Sequence, residues 1–279
     1  MRISIQSRRA LVAATIGGFL LPLSAQAAPW VMGVAPRHVR AQTTMIPLAA
    51  FVARAAGHPV TVWRAGPSWF GYAAHVARGQ FALALDGAIF TGWRDQYRGY
   101  HPLVRLSGRM RFLVVTNTDA DDIHAMHDLD GRPVCTAPLP NMATMALLAH
   151  TSRVAVPYIE PMGGILRNYR GLVGGECQAA VLPASFYNRL PQASRAGLHV
   201  LYRTHAFPNL ALSAGPQVPH AVRVRIRRAL LSPQGEALAA RIFPGRRFVA
   251  AAPTDYAPYA GDLQRMAFFQ GMLKPSTHN

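Results

Sequence analysis

The sequence predicts an α/β fold of two doubly wound lobes that are joined by a two-crossing hinge. A βαβαβ pattern occurs twice along the chain, in units of equal size. The first unit runs from residue 30 to residue 85 and the second from residue 132 to residue 182. A polar, acidic segment separates the units, and a helical tail follows the second one. Paired lobes leave a cleft between them, where small ligands bind.

The elements of the first unit follow from apolar runs and helix signals. The first strand is the apolar run 30–35, and the next helix starts at Thr43 or Thr44, with Pro47 in its first turn, and ends at Gly57. A short strand at 60–63 precedes a helix that Ser68 caps and that ends at Gly79. The continuous apolar run 80–85 predicts a buried strand. A helix at 88–98 and strands at 103–106 and 110–116 complete this part.

The second unit repeats this order after the acidic segment 117–131. Its predicted elements are a strand at 132–136, a helix at 140–150, a strand at 154–159, a helix at 163–173 and a closing strand within 174–182. Strands at 199–203 and 210–213 flank Phe207-Pro208-Asn209, the predicted return crossing, and helices at 221–231, 233–243 and 256–273 pack back on the first lobe. Lobe one therefore comprises residues 28–116 and 208–279, and lobe two comprises residues 117–207.

Residues 1–27 have the features of an export signal. Arg2, Arg8 and Arg9 form a basic start, an apolar core follows at 10–23, and Ala25-Gln26-Ala27 is a small-x-small cleavage site. This apolar core is shorter than the roughly 20 residues needed to span a bilayer. We therefore expect cleavage after Ala27 and a periplasmic product. The Arg8-Arg9 pair also resembles a twin-arginine signal, and both export routes stay open.

The charge balance favours anionic partners. The chain has 29 Lys and Arg against 12 Asp and Glu, for a formal net charge of +17. Nucleic acid is not expected, because no dense basic run with interleaved aromatic residues occurs and the chain carries an export signal. The densest basic stretch, 223–228, is predicted to form a solvated helix face.

Two cysteines, Cys135 and Cys177, are predicted to lie on the first and third strands of the second unit. In a doubly wound sheet of order 2-1-3 those strands are neighbours, and the exported compartment is oxidising. A disulfide is therefore within geometric reach. A site in which one thiol faces a soft metal is the alternative.

Five residues of lobe one are candidates for ligand contact, because ligands bind beyond the carboxyl ends of the strands in such sheets. Arg37 and His38 follow the first strand and can supply charge-assisted hydrogen bonds. Trp69 and Tyr72 form an apolar or cation-binding wall of the cleft, or they plug the core of the lobe. Asp86 ends the third strand as a cleft residue or a helix cap.

Five residues of lobe two are candidates for the opposite wall of the cleft. Thr136 ends the first strand of the second unit, and Asn141 and Thr144 lie at the next helix start, whose positive dipole end attracts anions. Asn141 has helix capping as its alternative role. Ser185 and Tyr187 follow the third strand and approach the ligand from that side.

The sequence indicates no catalytic chemistry. It has no Ser-His-Asp grouping, no paired carboxylates, no P-loop and no dinucleotide fingerprint. The pair His124 and His127 has the spacing of a weak metal motif, and a solvated loop is the favoured interpretation. We expect no cofactor, no metal and no enzyme, with an enzyme on the same scaffold as the least favoured alternative.

Three motifs resemble those of a known family. They are Asp-Leu-Asp-Gly-Arg-Pro-Val-Cys-Thr at 128–136, Gly-Gly-Glu-Cys-Gln-Ala-Ala-Val at 174–181 and Phe-Pro-Asn at 207–209. In this order they resemble the type 2 periplasmic solute-binding proteins, specifically the phosphate/phosphite/phosphonate-binding branch of ABC transporter receptors, from Val31 to Met272.

The resemblance implies a monomer that closes on a small anionic solute and presents it to the membrane permease of an ABC transporter. Some relatives serve a sensor kinase or a redox system, so a ligand-sensing module is the alternative function. Phosphonate binders place a Ser/Thr-rich turn at the helix start of lobe two. Here residues 138–144 read Pro-Leu-Pro-Asn-Met-Ala-Thr, in which only Asn141 and Thr144 donate from side chains.

Overall fold

Two mixed β-sheets with helices packed around them organise the chain. The structure is a computed structural model that describes residues 28–36, 43–63, 68–151 and 155–273. Within these ranges the strands form a six-stranded sheet, a five-stranded sheet and a two-stranded ribbon. This arrangement confirms the predicted α/β fold with two lobes.

The six-stranded sheet forms lobe one, in the order β13-β4-β12-β3-β1-β2. Its strands are β1 (Trp30–Val34), β2 (Val60–Val62), β3 (Leu83–Asp86), β4 (His101–Leu106), β12 (Ala211–Ala214) and β13 (Phe248–Ala250). Strand β1 pairs in parallel with β2 and β3, as the predicted order 2-1-3 requires. The later strands β12 and β13 join the sheet antiparallel to their neighbours.

The five-stranded sheet forms lobe two, in the order β10-β6-β9-β7-β8. Its strands are β6 (Phe112–Asn117), β7 (Pro133–Thr136), β8 (Tyr158–Pro161), β9 (Ala179–Pro183) and β10 (Leu198–Arg203). Strand β6 pairs antiparallel with β9 and β10, so it belongs to lobe two, whereas the boundary predicted at residue 116 placed it in lobe one. The prediction followed the polar segment after β6, but the chain changes lobes before this strand.

Helices cover both sheets. In lobe one they are α1 (Ile46–Ala56), α2 (Trp69–Ala77), α3 (Ala88–Arg98), α8 (His220–Leu230), α9 (Pro233–Ile242), α10 (Ala260–Gln264) and α11 (Ala267–Leu273). In lobe two they are α4 (Met142–Thr151), α5 (Ile165–Val173), α6 (Ala184–Tyr187) and α7 (Gln192–Ala196). Single 3₁₀ turns occur at Met126–Leu129, Pro253–Asp255 and Ala257–Tyr259. None of the helices in the described ranges is long and apolar enough to cross a membrane.

The core is continuous from one lobe to the other. One buried cluster combines Phe90 of lobe one with Val134 and Met142 of lobe two. Helix α3 also packs tightly on the C-terminal segment, since a Cβ atom on Gly92 would lie 2.4 Å from the carbonyl oxygen of Tyr256. Only glycine permits that approach, which fixes the C-terminal segment against lobe one.

The two crossings between the lobes are bonded to each other. Strand β5 (Arg109–Met110) pairs antiparallel with β11 (Phe207–Pro208). The Arg109 guanidinium donates to the carbonyl oxygen of Ala206 at 2.6 and 3.1 Å, and the Asn209 amide donates to the carbonyl oxygen of Ser107 at 3.1 Å. The hinge is therefore a two-stranded ribbon rather than two separate linkers.

Candidate functional site

The starts of helices α3 and α4 lie close to each other, one in each lobe. Helix α3 begins directly after β3, and α4 begins six residues after β7. A Cβ atom on Gly87, the residue before α3, would lie 3.6 Å from Sδ and Cε of Met142, the first residue of α4. Helix N-termini carry free N–H groups and a partial positive charge. The interface between the lobes is therefore suited to a negative group.

Asp86 lies beneath the start of α3 and is fully buried. Its carboxylate accepts two hydrogen bonds from the Arg94 guanidinium, at 2.5 and 2.7 Å, one from the Tyr72 hydroxyl at 2.5 Å and one from the Thr91 hydroxyl at 3.0 Å. The structure thus brings the predicted residues Tyr72 and Asp86 together, but it places them inside lobe one rather than on the cleft surface.

The charges within this cluster are compensated internally. Burial raises the pKa of Tyr72 well above its usual value, and the negative charge of Asp86 raises it further, so the phenol stays protonated. Burial, the largest single effect, lowers the pKa of Arg94, but attraction to Asp86, the hydrogen bonds to its carboxylate and the neighbouring Tyr72 together outweigh burial, and the pKa is raised. A buried carboxylate–guanidinium pair therefore anchors the first two turns of α3.

Sequence reasoning missed Arg94 and Thr91. Both follow Asp86 on α3, in a stretch that is otherwise apolar and buried. A carboxylate and a guanidinium within one such stretch indicate a buried ion pair, because buried charges are almost always paired.

Trp69 lies at the start of α2 in a group of aromatic rings. Its ring stacks on Phe90 with centroids 6.2 Å apart and meets Tyr72 edge-on at 6.5 Å. The side chain is half-buried, so part of it remains open to a neighbour or ligand. The neighbouring residues 64–67, and the candidates Arg37 and His38, lie outside the described residues.

Three predicted residues of lobe two meet at the start of α4. Thr136 and Thr144 are fully buried, their hydroxyls lie 3.0 Å apart, and the Thr144 hydroxyl also donates to the carbonyl oxygen of Ala137. The Asn141 side-chain oxygen accepts from the N–H of Ala143 at 2.8 Å, so Asn141 caps the helix. These side chains fix the direction of α4.

Ser185 and Tyr187 lie on the short helix α6, directly after β9. Ser185 is exposed and Tyr187 is half-buried. The N–H of Ala184 donates to the carbonyl oxygen of Arg111 at 2.8 Å, which ties this helix start to the first crossing. Among the predicted residues that the structure describes, Ser185 is the most accessible to solvent.

The disulfide predicted between Cys135 and Cys177 is present, with the two Cα atoms 5.6 Å apart. It joins β7 to the turn that precedes β9, and both cysteines are buried. The alternative of a thiol that faces a soft metal is wrong, because both sulfur atoms are used in the bond.

The segment with His124 and His127 forms a surface turn. The Asp128 carboxylate accepts from the N–H groups of His124 and Ala125, both at 2.9 Å, and these bonds lower its pKa. Across the described ranges, no three His, Cys, Asp or Glu side chains are grouped so as to hold a metal ion.

Two mixed α/β lobes, two bonded crossings and neighbouring helix starts define the class of type 2 periplasmic binding proteins. Residues 32–256 match the family model described as "ABC transporter, phosphonate, periplasmic substrate-binding protein". The match covers most of the chain, and the protein belongs to this family of solute-binding proteins.

Solved structures with the same fold share little sequence identity with the chain. XAC2383 from Xanthomonas citri, bound to ATP, is 16% identical with a TM-score of 0.70, over 88% of this chain and 99% of that one. PhnD1 from Prochlorococcus marinus, in complex with methylphosphonate, is 9% identical with a TM-score of 0.65, over 84% and 96%. A binding protein of an ABC phosphonate transporter from Pseudomonas aeruginosa is 11% identical with a TM-score of 0.62, over 88% and 87%. No curated protein sequence gives a significant match.

Proposed function

We propose that this protein captures a small anionic solute between its lobes and delivers it to the membrane permease of an ABC transporter. The observation that carries the proposal is the meeting of two helix starts at Gly87 and Met142, because each presents partial positive charge to the same interface. The family to which the chain belongs and its net charge of +17 support the same conclusion.

The ligand class is a phosphate- or phosphonate-like oxyanion. The family description and the methylphosphonate complex of the Prochlorococcus marinus relative support this class. In the proposed site Arg37 and His38 donate charge-assisted hydrogen bonds from lobe one. The accessible Ser185 and the half-buried Tyr187 approach from lobe two, and Trp69 forms an apolar side wall.

The buried candidates act through the helices that they hold. Asp86 and Tyr72 fix the start of α3 through Arg94, and Thr136 and Thr144 fix the start of α4. Binding is reversible and non-catalytic. An anion that contacts both helix starts stabilises the closed arrangement of the lobes, and release follows hinge bending at the ribbon of β5 and β11.

This activity places the mature chain, from residue 28 onward, in the periplasm. Capture there requires export and removal of residues 1–27. N-terminal sequencing of the periplasmic fraction is expected to begin at Ala28, and a product that retains the first 27 residues would contradict this part of the proposal.

Calorimetry with the mature protein tests the ligand class directly. We expect saturable one-to-one binding of inorganic phosphate or methylphosphonate, with Arg37→Ala weakening the affinity at least tenfold, or about 1.4 kcal/mol. Arg227→Ala, an exposed arginine on α8, is the matched control and should leave affinity unchanged. Unchanged affinity in Arg37→Ala would remove Arg37 from the site. Absence of binding for both anions in the wild type would refute the ligand class.

A further inference from the structure

A groove with a volume of about 680 Å³ lies between the lobes, beside the two neighbouring helix starts. One wall is a face of α4, formed by Met142, Met145, Ala146 and Ala149. The opposite wall is the C-terminal segment, with Tyr259 and Met266 among its lining residues. The volume falls within the range of small-molecule sites, roughly 300–1,000 Å³.

The groove is continuous with the candidate anion site. Its lining includes Met142, the first residue of α4, and Ile89, the second residue of α3. From Met142 it follows α4 to His150, eight residues further along, which is about 12 Å at 1.5 Å per residue. A ligand held at the helix starts therefore has a path along α4 that leads away from them.

The chemistry of the groove changes along this path. Near the helix starts the lining is aliphatic or thioether, from Ile89, Met142 and Met145, and methionine adapts its shape to apolar ligands. At the far end His150 stacks on Tyr202 with ring centroids 3.7 Å apart, and both side chains line the groove. The groove thus offers an apolar path that fits an apolar chain or ring system.

The polar groups of the lining leave the apolar character of the path intact. Asp262 accepts from Arg265 at 2.5 Å; the Arg265 side chain is 73% exposed and the Asp262 side chain 26%, so the carboxylate in the groove is compensated by a guanidinium that faces water. The Thr204 hydroxyl, also in the lining, donates to the carbonyl oxygen of His205 at 2.9 Å and accepts from the N–H of Phe112 at 3.0 Å. Neither group needs a ligand partner.

We propose that the physiological ligand is an oxyanion with an apolar arm, and that the groove along α4 holds the arm while the helix starts hold the anionic head. This inference rests on the proposed function, because it needs the head at the cleft. It narrows the substrate class from any small anion to an amphiphilic organic phosphonate or phosphate whose arm is about 12 Å long. A small anion would leave the apolar walls in contact with water.

The test compares two probes with the same head, methylphosphonate and octylphosphonate, by calorimetry below the concentration at which the longer probe forms micelles. Each fully buried methylene raises the affinity about fourfold. Because the groove is open to solvent along part of its length, we expect octylphosphonate to bind about a hundredfold more tightly. Ala149→Trp, which fills the far half of the groove, should abolish this preference and leave methylphosphonate binding unchanged.

Three further measurements make the result decisive. Ala237→Trp, at an exposed position of α9, is the matched control and should keep the preference for the longer probe. Thermal melting of each variant checks that the fold is retained, and Ala146→Trp repeats the test nearer the helix starts. A preference that survives both groove substitutions would mean that the arm binds elsewhere and would overturn the inference.

The outcomes also separate this inference from the proposed function. Equal binding of both probes to the wild type would refute the groove as an arm site and leave anion capture supported. Binding of neither probe would refute the proposed phosphonate ligand and the inference with it. Preference for the longer probe that disappears only in the groove variants supports both.

Discussion

Replacing Arg94 by methionine isolates the contribution of the buried ion pair beneath the cleft. Both partners of the Arg94–Asp86 pair have fully buried side chains, and the shorter N–O distance is 2.5 Å. Methionine fills similar space but leaves the Asp86 carboxylate with only the Tyr72 and Thr91 hydroxyls as donors. An uncompensated buried charge costs about 3–5 kcal/mol. We therefore expect the free energy of unfolding to fall by that amount.

Urea unfolding followed by far-UV circular dichroism measures this change without relying on tryptophans near the substitution. With a slope of about 3 kcal/mol per molar urea, the midpoint should fall by about 1–1.7 M. Arg265→Met is the matched control, because the Arg265–Asp262 pair has the same 2.5 Å distance but an Arg265 side chain that is 73% exposed. Loss of this exposed ion pair should lower the free energy of unfolding by less than about 1 kcal/mol.

A double variant tests whether the cost arises from the unpaired charge. Asp86→Leu combined with Arg94→Met removes both charges, so its destabilisation should be smaller than the sum of the two single variants by about 1–3 kcal/mol. If Arg94→Met lowers the free energy of unfolding no more than Arg265→Met does, burial does not determine the cost of breaking the pair. Strict additivity in the double variant would refute the pairing argument.

Three other substitutions test separate parts of the structure. Cys177→Ser removes the disulfide, which closes a loop with a sequence separation of 42 residues, and the loop-closure model predicts that the free energy of unfolding falls by about 4 kcal/mol. A melting temperature equal to that of the wild type, with or without reductant, would contradict this prediction. Asp128 has a lowered pKa in the folded state, so the unfolded chain binds more protons in acid and the stability from this residue is lost as pH falls below about 4. Asp128→Asn should therefore be less stable than the wild type at pH 7, and this difference should shrink as the pH falls below about 4; a stability difference independent of pH would refute this. Gly92→Ala should lower the free energy of unfolding, measured with a chemical denaturant, by about 1–3 kcal/mol, because its Cβ would approach the Tyr256 carbonyl oxygen to 2.4 Å. An unchanged free energy of unfolding would mean that the C-terminal segment moves freely away from α3.

The repeated βαβαβ units and their strand order were predictable from sequence, because each depends on local signals. The apolar run predicted as a strand at 132–136 is strand β7 at 133–136, and the predicted cap Ser68 accepts from the N–H of Gly71. The sheet to which β6 belongs was not predictable, since its apolar run fits either sheet. Only its pairing with β9, which is visible in the structure, assigns it to the sheet of lobe two. The single helix predicted at 256–273 is instead a 3₁₀ turn and two short helices.

The proximity of two helix starts could be predicted from sequence, whereas the orientation of individual side chains could not. Asp86 ends a strand at the expected edge, yet Arg94 on the next helix turns back to bind it in the interior. Thr136 and Thr144 likewise bond to each other. Such pairings depend on how a strand and the following helix pack, which is a property of tertiary structure. The groove beside α4 involves four distant segments, and no local pattern indicates it.

The pairing of β5 with β11 restricts how the lobes can move. Two independent tethers would let one lobe twist, slide or tilt on the other, whereas a bonded ribbon resists shear and torsion and yields most easily to flexing across its width. The lobes should therefore open and close by rotation about a single hinge axis. A membrane protein that contacts both lobes would then meet conformations that differ in a single opening angle.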